Sequence, residues 1–103
     1  MTSELLYFGT RTPDGVVTGA DWRGFVDAEV TPRFPDGLTT WPASGQWRSP
    51  AGLLVREDTW LLNIVHAPDA ASDAAMAGVI AAYKKRFAQQ SVLRVTSAAC
   101  VAF

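Results

Sequence analysis

The sequence predicts an α+β fold of the ferredoxin-like split β-α-β type, with one antiparallel sheet and two helices on one face. The predicted elements follow the order strand, helix, elaborated strand hairpin, helix, strand along 103 residues. Each central strand also has one alternating set of residues that is entirely apolar, which suits a sheet face covered by helices. We therefore expect a single domain over residues 1–103. Two such sheets could also pack together as a dimeric α+β barrel.

The first strand and the first helix carry local signals. Residues 4–10, ELLYFGT, are rich in aliphatic and aromatic side chains and are typical of a strand. Thr18 is a suitable helix cap, and Asp21 three residues later would complete a capping box. A proline at position 32 disfavours helical backbone at Thr31, so the first helix is expected to end there.

The remaining elements are predicted from turn residues and periodicity. They are a hairpin of strands 45–48 and 53–57, a strand over 60–66, a helix over 71–88 and a closing strand over 91–103. The second helix is the clearest of them, because its apolar residues repeat at intervals of three and four: Met76, Val79, Ile80, Tyr83 and Phe87. Pro42 predicts that any strand containing it is irregular or lies at a sheet edge.

Composition and charge exclude several classes of function. Nine basic and ten acidic residues are interspersed, and the only basic run is Lys84-Lys85-Arg86, so a nucleic-acid partner is not expected. No apolar run is long enough for a membrane span and the amino terminus does not resemble a signal peptide, so we expect a cytoplasmic protein. With one cysteine and one histidine, no metal site and no cofactor are predicted. The low charged fraction of 18% favours burial of some surface, and we expect a homodimer.

Strand parity predicts a polar cluster on the sheet face opposite the helices. Matching the mixed set of each strand places Tyr7, Asn63, Arg94 and Thr96 together there. Arg94 could bind a carboxylate or an enolate in a forked geometry, and Asn63 could bind the same oxyanion. The alternative is that these groups merely satisfy one another against solvent or a second subunit, and a bulge would shift the parity.

His66 and Tyr7 are the candidates for moving a proton. His66 is the only imidazole and lies at a strand end, although the local sequence shows no acidic partner for it, and a structural role is the alternative. Arg33 is expected to cap the carbonyls of the first helix, and the same position would let it close one end of a pocket. Trp47 lies in Pro- and Gly-rich chain, where a core role is slightly favoured over a ligand platform.

Several blocks of the chain resemble one bacterial family. They are TPRFPDGLT, GQWR, IVH, AYKKRF and QQSVLRV, and the resemblance extends from YFG at 7–9 to VAF at the end. In order and spacing these blocks are similar to the family catalogued as domain of unknown function 3574. The resemblance implies no reaction, but it marks seven motif positions: Arg33, Gln46, Trp47, Glu57, His66, Tyr83 and Gln90.

Two classes of function remain open at this point. The first is a domain that binds a small organic molecule on the open sheet face, with or without cofactor-independent isomerase, cyclase or monooxygenase chemistry, an analogy that rests on the fold. The second is a non-catalytic dimeric module whose open face is a subunit interface. Nucleophile-elbow, Walker and GxGxxG patterns are absent, which disfavours the common hydrolase and nucleotide-binding classes.

Overall fold

The computed structural model describes residues 1–103, and its main sheet is antiparallel with the strand order β4-β5-β1-β6. The strands are β1 (Thr2–Gly9), β2 (Arg11–Thr12), β3 (Gly15–Val16), β4 (Thr39–Arg48), β5 (Leu54–His66) and β6 (Leu93–Ala98). The helices are α1 (Gly19–Phe25), which continues as the π-helical segment Val26–Val30, and α2 (Ala70–Arg86). The order confirms the predicted ferredoxin-like fold, and β2 with β3 adds a small separate hairpin.

The first helix begins and ends where the sequence predicts, but the backbone at its carboxyl end differs from the expected extended conformation. The Thr18 hydroxyl accepts a hydrogen bond from the Asp21 backbone N–H, and the Asp21 carboxylate accepts one from the Thr18 N–H. Thr31 has helical backbone angles and donates to the carbonyl of Val26, so the expectation of extended backbone at Thr31 is wrong. The helix still stops at Val30, because the following proline has no N–H with which to continue it.

The predicted strands 53–57 and 60–66 are a single strand, β5, which pairs with β1 only up to Thr59. Residues 44–58 therefore form an arm of paired β4 and β5 that extends beyond β1, and we call this segment the hairpin arm. β4 also begins earlier than predicted and includes Pro42, which is tolerated because β4 lies at the sheet edge, as expected. Trp47 lies on the hairpin arm with 52% of its surface exposed, so the slight preference for a core role is wrong.

The core lies between the sheet and the two helices and is strongly aromatic. Trp22 stacks on Trp60 with ring centroids 5.6 Å apart, and its indole N–H donates to the Thr40 hydroxyl. The predicted stripe of α2 faces this core, with Met76, Val79 and Tyr83 fully buried and Ile80 and Phe87 packed at its edge. β6 ends at Ala98, so residues 99–103 of the predicted closing strand lie outside the sheet. Outside this core, polar side chains cluster at the two ends of the sheet, one where β5 terminates and one where β1 terminates.

Candidate functional sites at the two ends of the sheet

A buried carboxylate, Glu4, organises the end of the sheet where β5 terminates. Glu4 is completely buried on the helix-facing side, because it is paired with Ile64 of β5 and Thr96 of β6. Its oxygens accept hydrogen bonds from Nε and Nη2 of Arg94 at 2.8 and 2.7 Å, from the Thr96 hydroxyl at 3.1 Å and from Nε2 of His66 at 3.3 Å. We call Glu4, His66, Arg94 and Thr96 the Glu4 network.

The electrostatics of the Glu4 network favour the ionised carboxylate. Burial alone would raise the pKa of Glu4, but the hydrogen bonds from Arg94, His66 and Thr96 outweigh it and hold that pKa below its usual value. Arg94 also donates to the exposed Asp73 carboxylate at 2.8 Å, and its pKa is raised, mainly by its hydrogen bond to Glu4. The network therefore pairs a fully buried, hydrogen-bonded carboxylate with a guanidinium that is partly exposed.

His66 is held by acceptors on both ring nitrogens. Nδ1 lies 2.6 Å from the carbonyl oxygen of Ala67, and Nε2 lies 3.3 Å from Oε1 of Glu4. Both of these partners are acceptors, so a ring N–H of His66 is the donor in each hydrogen bond that forms. Both ring nitrogens of His66 thus lie against groups of its own chain. The side chain is 8% exposed, and its ring packs against Phe34.

The predicted cluster on the open sheet face does not form. Tyr7 and Asn63 do face away from the helices, but Arg94 is in register with Leu6 and Thr96 with Glu4, so both lie on the helix-facing side. The Asn63 amide donates to the backbone carbonyl of Glu4 at 2.9 Å. Arg94 and Thr96 are therefore partners of a buried carboxylate instead of neighbours of Tyr7.

Glu4 itself was missed, although the sequence contained a signal for it. Glu4 has the same parity as Leu6 and Phe8, the apolar set assigned to the core. A carboxylate in phase with core residues requires donors, and Arg94, His66 and Thr96 are among the polar residues of the two strands adjacent to β1. The sequence could thus have predicted the acidic partner of His66.

A cavity of about 670 Å³ lies beside His66, and we call it the His66 cavity. Three residues predicted for the site line it, namely Arg33, Asn63 and His66. Half of the sixteen lining residues are hydrophobic, including Phe34 and Leu38, and the polar ones include Asp36 and Ser72. Its size and mixed lining fall within the range of small-molecule sites. Tyr7, Arg94 and Trp47 do not line it.

Arg33 has the capping role expected for it and also forms one wall of the His66 cavity. Its Nη1 donates to the backbone carbonyl of Glu29 at 2.9 Å and to the Glu29 carboxylate at 2.7 Å. Gly78 of α2 allows this position, since a Cβ there would lie 3.0 Å from the Arg33 Nε. The Arg33 guanidinium is thus held at Nη1 by Glu29 and lines the cavity from the carboxyl end of the first helix.

Motif residues also collect at the opposite end of the sheet, where β1 terminates. Oε2 of Glu57 accepts hydrogen bonds from the backbone N–H groups of Thr10 and Arg11 at 3.1 and 2.8 Å, whereas Oε1 forms no hydrogen bond within the chain. The Tyr83 hydroxyl donates to the carbonyl of Gly9 at 2.6 Å. Gly9 suits this close approach, because a Cβ there would lie 3.1 Å from Oε2 of Glu57. Burial and the charge of Glu57 raise the pKa of Tyr83.

The seven motif positions therefore divide between the two ends. Arg33 and His66 line the His66 cavity, whereas Gln46 and Glu57 line a second cavity of about 500 Å³ beside the hairpin arm. Gln90 is exposed. The neighbouring Gln89, which is not a motif position, instead donates a hydrogen bond from its amide to the carbonyl of Arg11. No group of three or more His, Cys, Asp or Glu side chains is arranged to hold a metal ion, and neither helix is long and apolar enough to cross a membrane.

The comparisons with known proteins agree with the fold and with the family resemblance. A phage SAM lyase in complex with S-methyl-5′-thioadenosine has a TM-score of 0.73 at 15% identity, covering 93% of this chain and 79% of the lyase chain. The apo state of a phage SAM lyase has a TM-score of 0.64 at 18% identity, covering 93% and 78%. At these identities the likeness concerns the fold, and no curated protein matches the chain. The family model for protein of unknown function (DUF3574) matches residues 3–103, and the chain belongs to that family.

Proposed function

We propose that this domain binds a small organic molecule in the His66 cavity. The observation that carries the proposal is the convergence of Arg33, which follows the first helix, with Asn63 and His66 of β5 on one cavity of about 670 Å³. Half of the lining is apolar, so a ligand with both an apolar and a hydrogen-bonding part would be complementary to it. The pocket that we propose thus lies at the end of the sheet, whereas the sequence predicted one on the open sheet face.

The ligand class that we propose is a nucleoside thioether or a related sulfonium compound. Support comes from the phage SAM lyase of the same fold, which was solved in complex with S-methyl-5′-thioadenosine. In the His66 cavity Phe34 offers an aromatic surface, Arg33 can donate to ring nitrogens or hydroxyls, and Asp36 can accept from hydroxyls or amines. We assign no reaction. A role for Tyr7 and His66 in moving a proton stays a prediction, and the two bonded nitrogens favour His66 as a positioning residue.

Calorimetry and amide chemical shifts with S-methyl-5′-thioadenosine test this proposal. Binding should shift amides around Phe34 and His66, because these residues line the cavity. Thr39→Trp should abolish binding by filling the space at an exposed position, and Arg33→Met should weaken it. Lys85→Trp is the matched control, since it places the same indole on an exposed turn of α2. Equal binding by Thr39→Trp and wild type would overturn the assignment of the cavity, and absence of binding by the wild type would overturn the ligand class.

A second candidate function is dimerisation through the open sheet face. Four large apolar side chains there are between 40% and 59% exposed: Trp41, Val65, Leu93 and Val95. A continuous apolar sheet face is typical of an interface, and a second copy would cover it. Light scattering should then give twice the chain mass for the wild type and for Leu53→Lys at the tip of the hairpin arm. Val95→Lys should give the monomer mass, and a monomeric wild type would refute this candidate.

A further inference from the structure

Two adjoining cavities form one groove between the β2–β3 hairpin and the hairpin arm. The first, of about 500 Å³, has polar walls that include Arg11, Gln46, Arg56 and Glu57. The second, of about 470 Å³, has a more apolar lining that includes Val17, Pro42 and Trp60. They share four lining residues, Thr10, Val16, Ser44 and Asp58, and are therefore contiguous. We call the two together the arm groove.

Two opposite charges in the arm groove have no partner within the chain. The side chains of Arg56 and Asp58 form no hydrogen bond within the chain, and only their backbone carbonyls accept from side chains, from Nη2 of Arg11 and from the Thr10 hydroxyl. Neither side chain forms an ion pair. They are two residues apart on β5, so they share one side of the strand with Cα atoms about 6.6 Å apart. The groove thus presents an unpaired cation and an unpaired anion side by side.

The surroundings of these two charges are fixed by many hydrogen bonds. Glu57 holds the backbone N–H groups of Thr10 and Arg11, and Gln89 donates to the carbonyl of Arg11 at 2.5 Å. The Arg11 guanidinium is tied to the carbonyl of Arg56 at 2.7 Å. The wall opposite Arg56 and Asp58 is therefore preorganised, which reduces the entropy lost when a ligand binds.

We propose that the arm groove binds a free α-amino acid with a large apolar side chain. An α-amino acid carries an ammonium and a carboxylate on one carbon, and these match Asp58 and Arg56 as charge-assisted hydrogen-bond partners. The side chain would lie against Val17, Pro42 and Trp60 in the apolar half of the groove. This site is at the opposite end of the sheet from the His66 cavity and does not depend on the function proposed there.

Titration of the ¹⁵N-labelled wild type with L-phenylalanine tests the proposal. The amides of Thr10, Ser44 and Asp58 should shift with one saturable dissociation constant, while amides near Phe34 and His66 stay unchanged. Arg56→Met and Asp58→Asn should each weaken binding by about tenfold or more, since each removes a hydrogen bond to a charged group. Lys85→Met is the matched control for loss of an exposed cation and should bind as the wild type does.

Blocked amino acids show which charge each residue recognises. N-acetyl-L-phenylalanine lacks the ammonium, so Asp58→Asn should not weaken its binding further, and the methyl ester lacks the carboxylate, so Arg56→Met should not weaken it further. Equal binding of all three probes would overturn the proposed recognition of both charges. Absence of localised shifts with L-phenylalanine would overturn the site itself, and shifts confined to the His66 cavity would assign the amino acid to the other end.

Discussion

Two glutamates organise the two ends of the sheet, and they differ in how completely their oxygens are used. Glu4 is fully buried, and both of its oxygens accept from side-chain donors. Glu57 is half-buried and uses only Oε2, on two backbone N–H groups, which leaves Oε1 available. Glu4 therefore has no acceptor capacity left, whereas Glu57 keeps one oxygen without a partner in the chain.

At each end of the sheet, the residues that stabilise the fold differ from those that we expect to contact a ligand. At the His66 end the Glu4 network is satisfied internally, so the groups free to contact a ligand come from Arg33, Asn63 and the loop 34–38. At the hairpin-arm end Glu57 fixes the backbone, and the unpaired side chains of Arg56 and Asp58 are the ones that remain free. In both places the group that holds the site together is different from the group that we expect to bind.

The largest expected effect is that of Glu4→Gln. The substitution removes one partner from a buried charge network and leaves the Arg94 guanidinium without its carboxylate, which typically costs about 3–5 kcal/mol of unfolding free energy. Urea unfolding at neutral pH measures the loss. Asp73→Asn is the control, because it removes the exposed partner of Arg94 and should cost less than about 1 kcal/mol. A loss at position 4 as small as that at position 73 would contradict the structural role of Glu4.

Acid should destabilise the protein through the same carboxylate. Because the folded-state pKa of Glu4 is lowered, its contribution to stability is present above the unfolded value of about 4.5 and is lost as the pH falls through the lower folded value. Urea unfolding of wild type and Glu4→Gln over this acidic range gives the comparison. The two stabilities should converge as the pH falls, and a constant difference between them would count against an ionised Glu4 in the folded state.

Glu57→Gln should lower the unfolding free energy less than Glu4→Gln does, and its effect should be confined to the chain around Thr10 and Arg11. The variant weakens two hydrogen bonds from backbone N–H groups to a half-buried carboxylate, and such bonds are worth about 1.5–3 kcal/mol when the acceptor is charged. Hydrogen exchange should accelerate at the amides of Thr10 and Arg11 and leave the amides of β6 unchanged. Uniform acceleration throughout the sheet would show that Glu57 stabilises the whole fold in the way that Glu4 does.

The sequence predicted the elements that local signals determine. Thr18 with Asp21 predicted the start of α1, the apolar periodicity predicted the buried face of α2, and Pro42 predicted an edge strand. The length of the hairpin arm was not predictable in this way. The polar run 56–59 interrupts the apolar pattern of β5, yet the strand continues through it because these residues pair with β4.

The site was predicted only in part, because strand register determines which polar residues meet. Arg33, Asn63 and His66 were each predicted as site residues and line one cavity, but the predicted grouping of Asn63 with Arg94 fails because Arg94 lies on the other sheet face. Register depends on tertiary pairing, and parity alone leaves the two faces of an edge strand interchangeable. The polar character of β6 on the helix side is explained only when Glu4 is recognised as its buried partner.

Arg56→Met and Asp58→Asn are expected to have the smallest effect on stability, and this result separates binding from folding in the arm groove. Both side chains are exposed and make no hydrogen bond or ion pair within the chain, so each substitution should change the unfolding free energy by less than about 0.5 kcal/mol. Thermal unfolding without any ligand measures this directly, with Lys85→Met as the reference. A cost comparable with that of Glu57→Gln would mean that these charges also stabilise the fold, and the contrast between the holding residue and the free residues would then fail at this end.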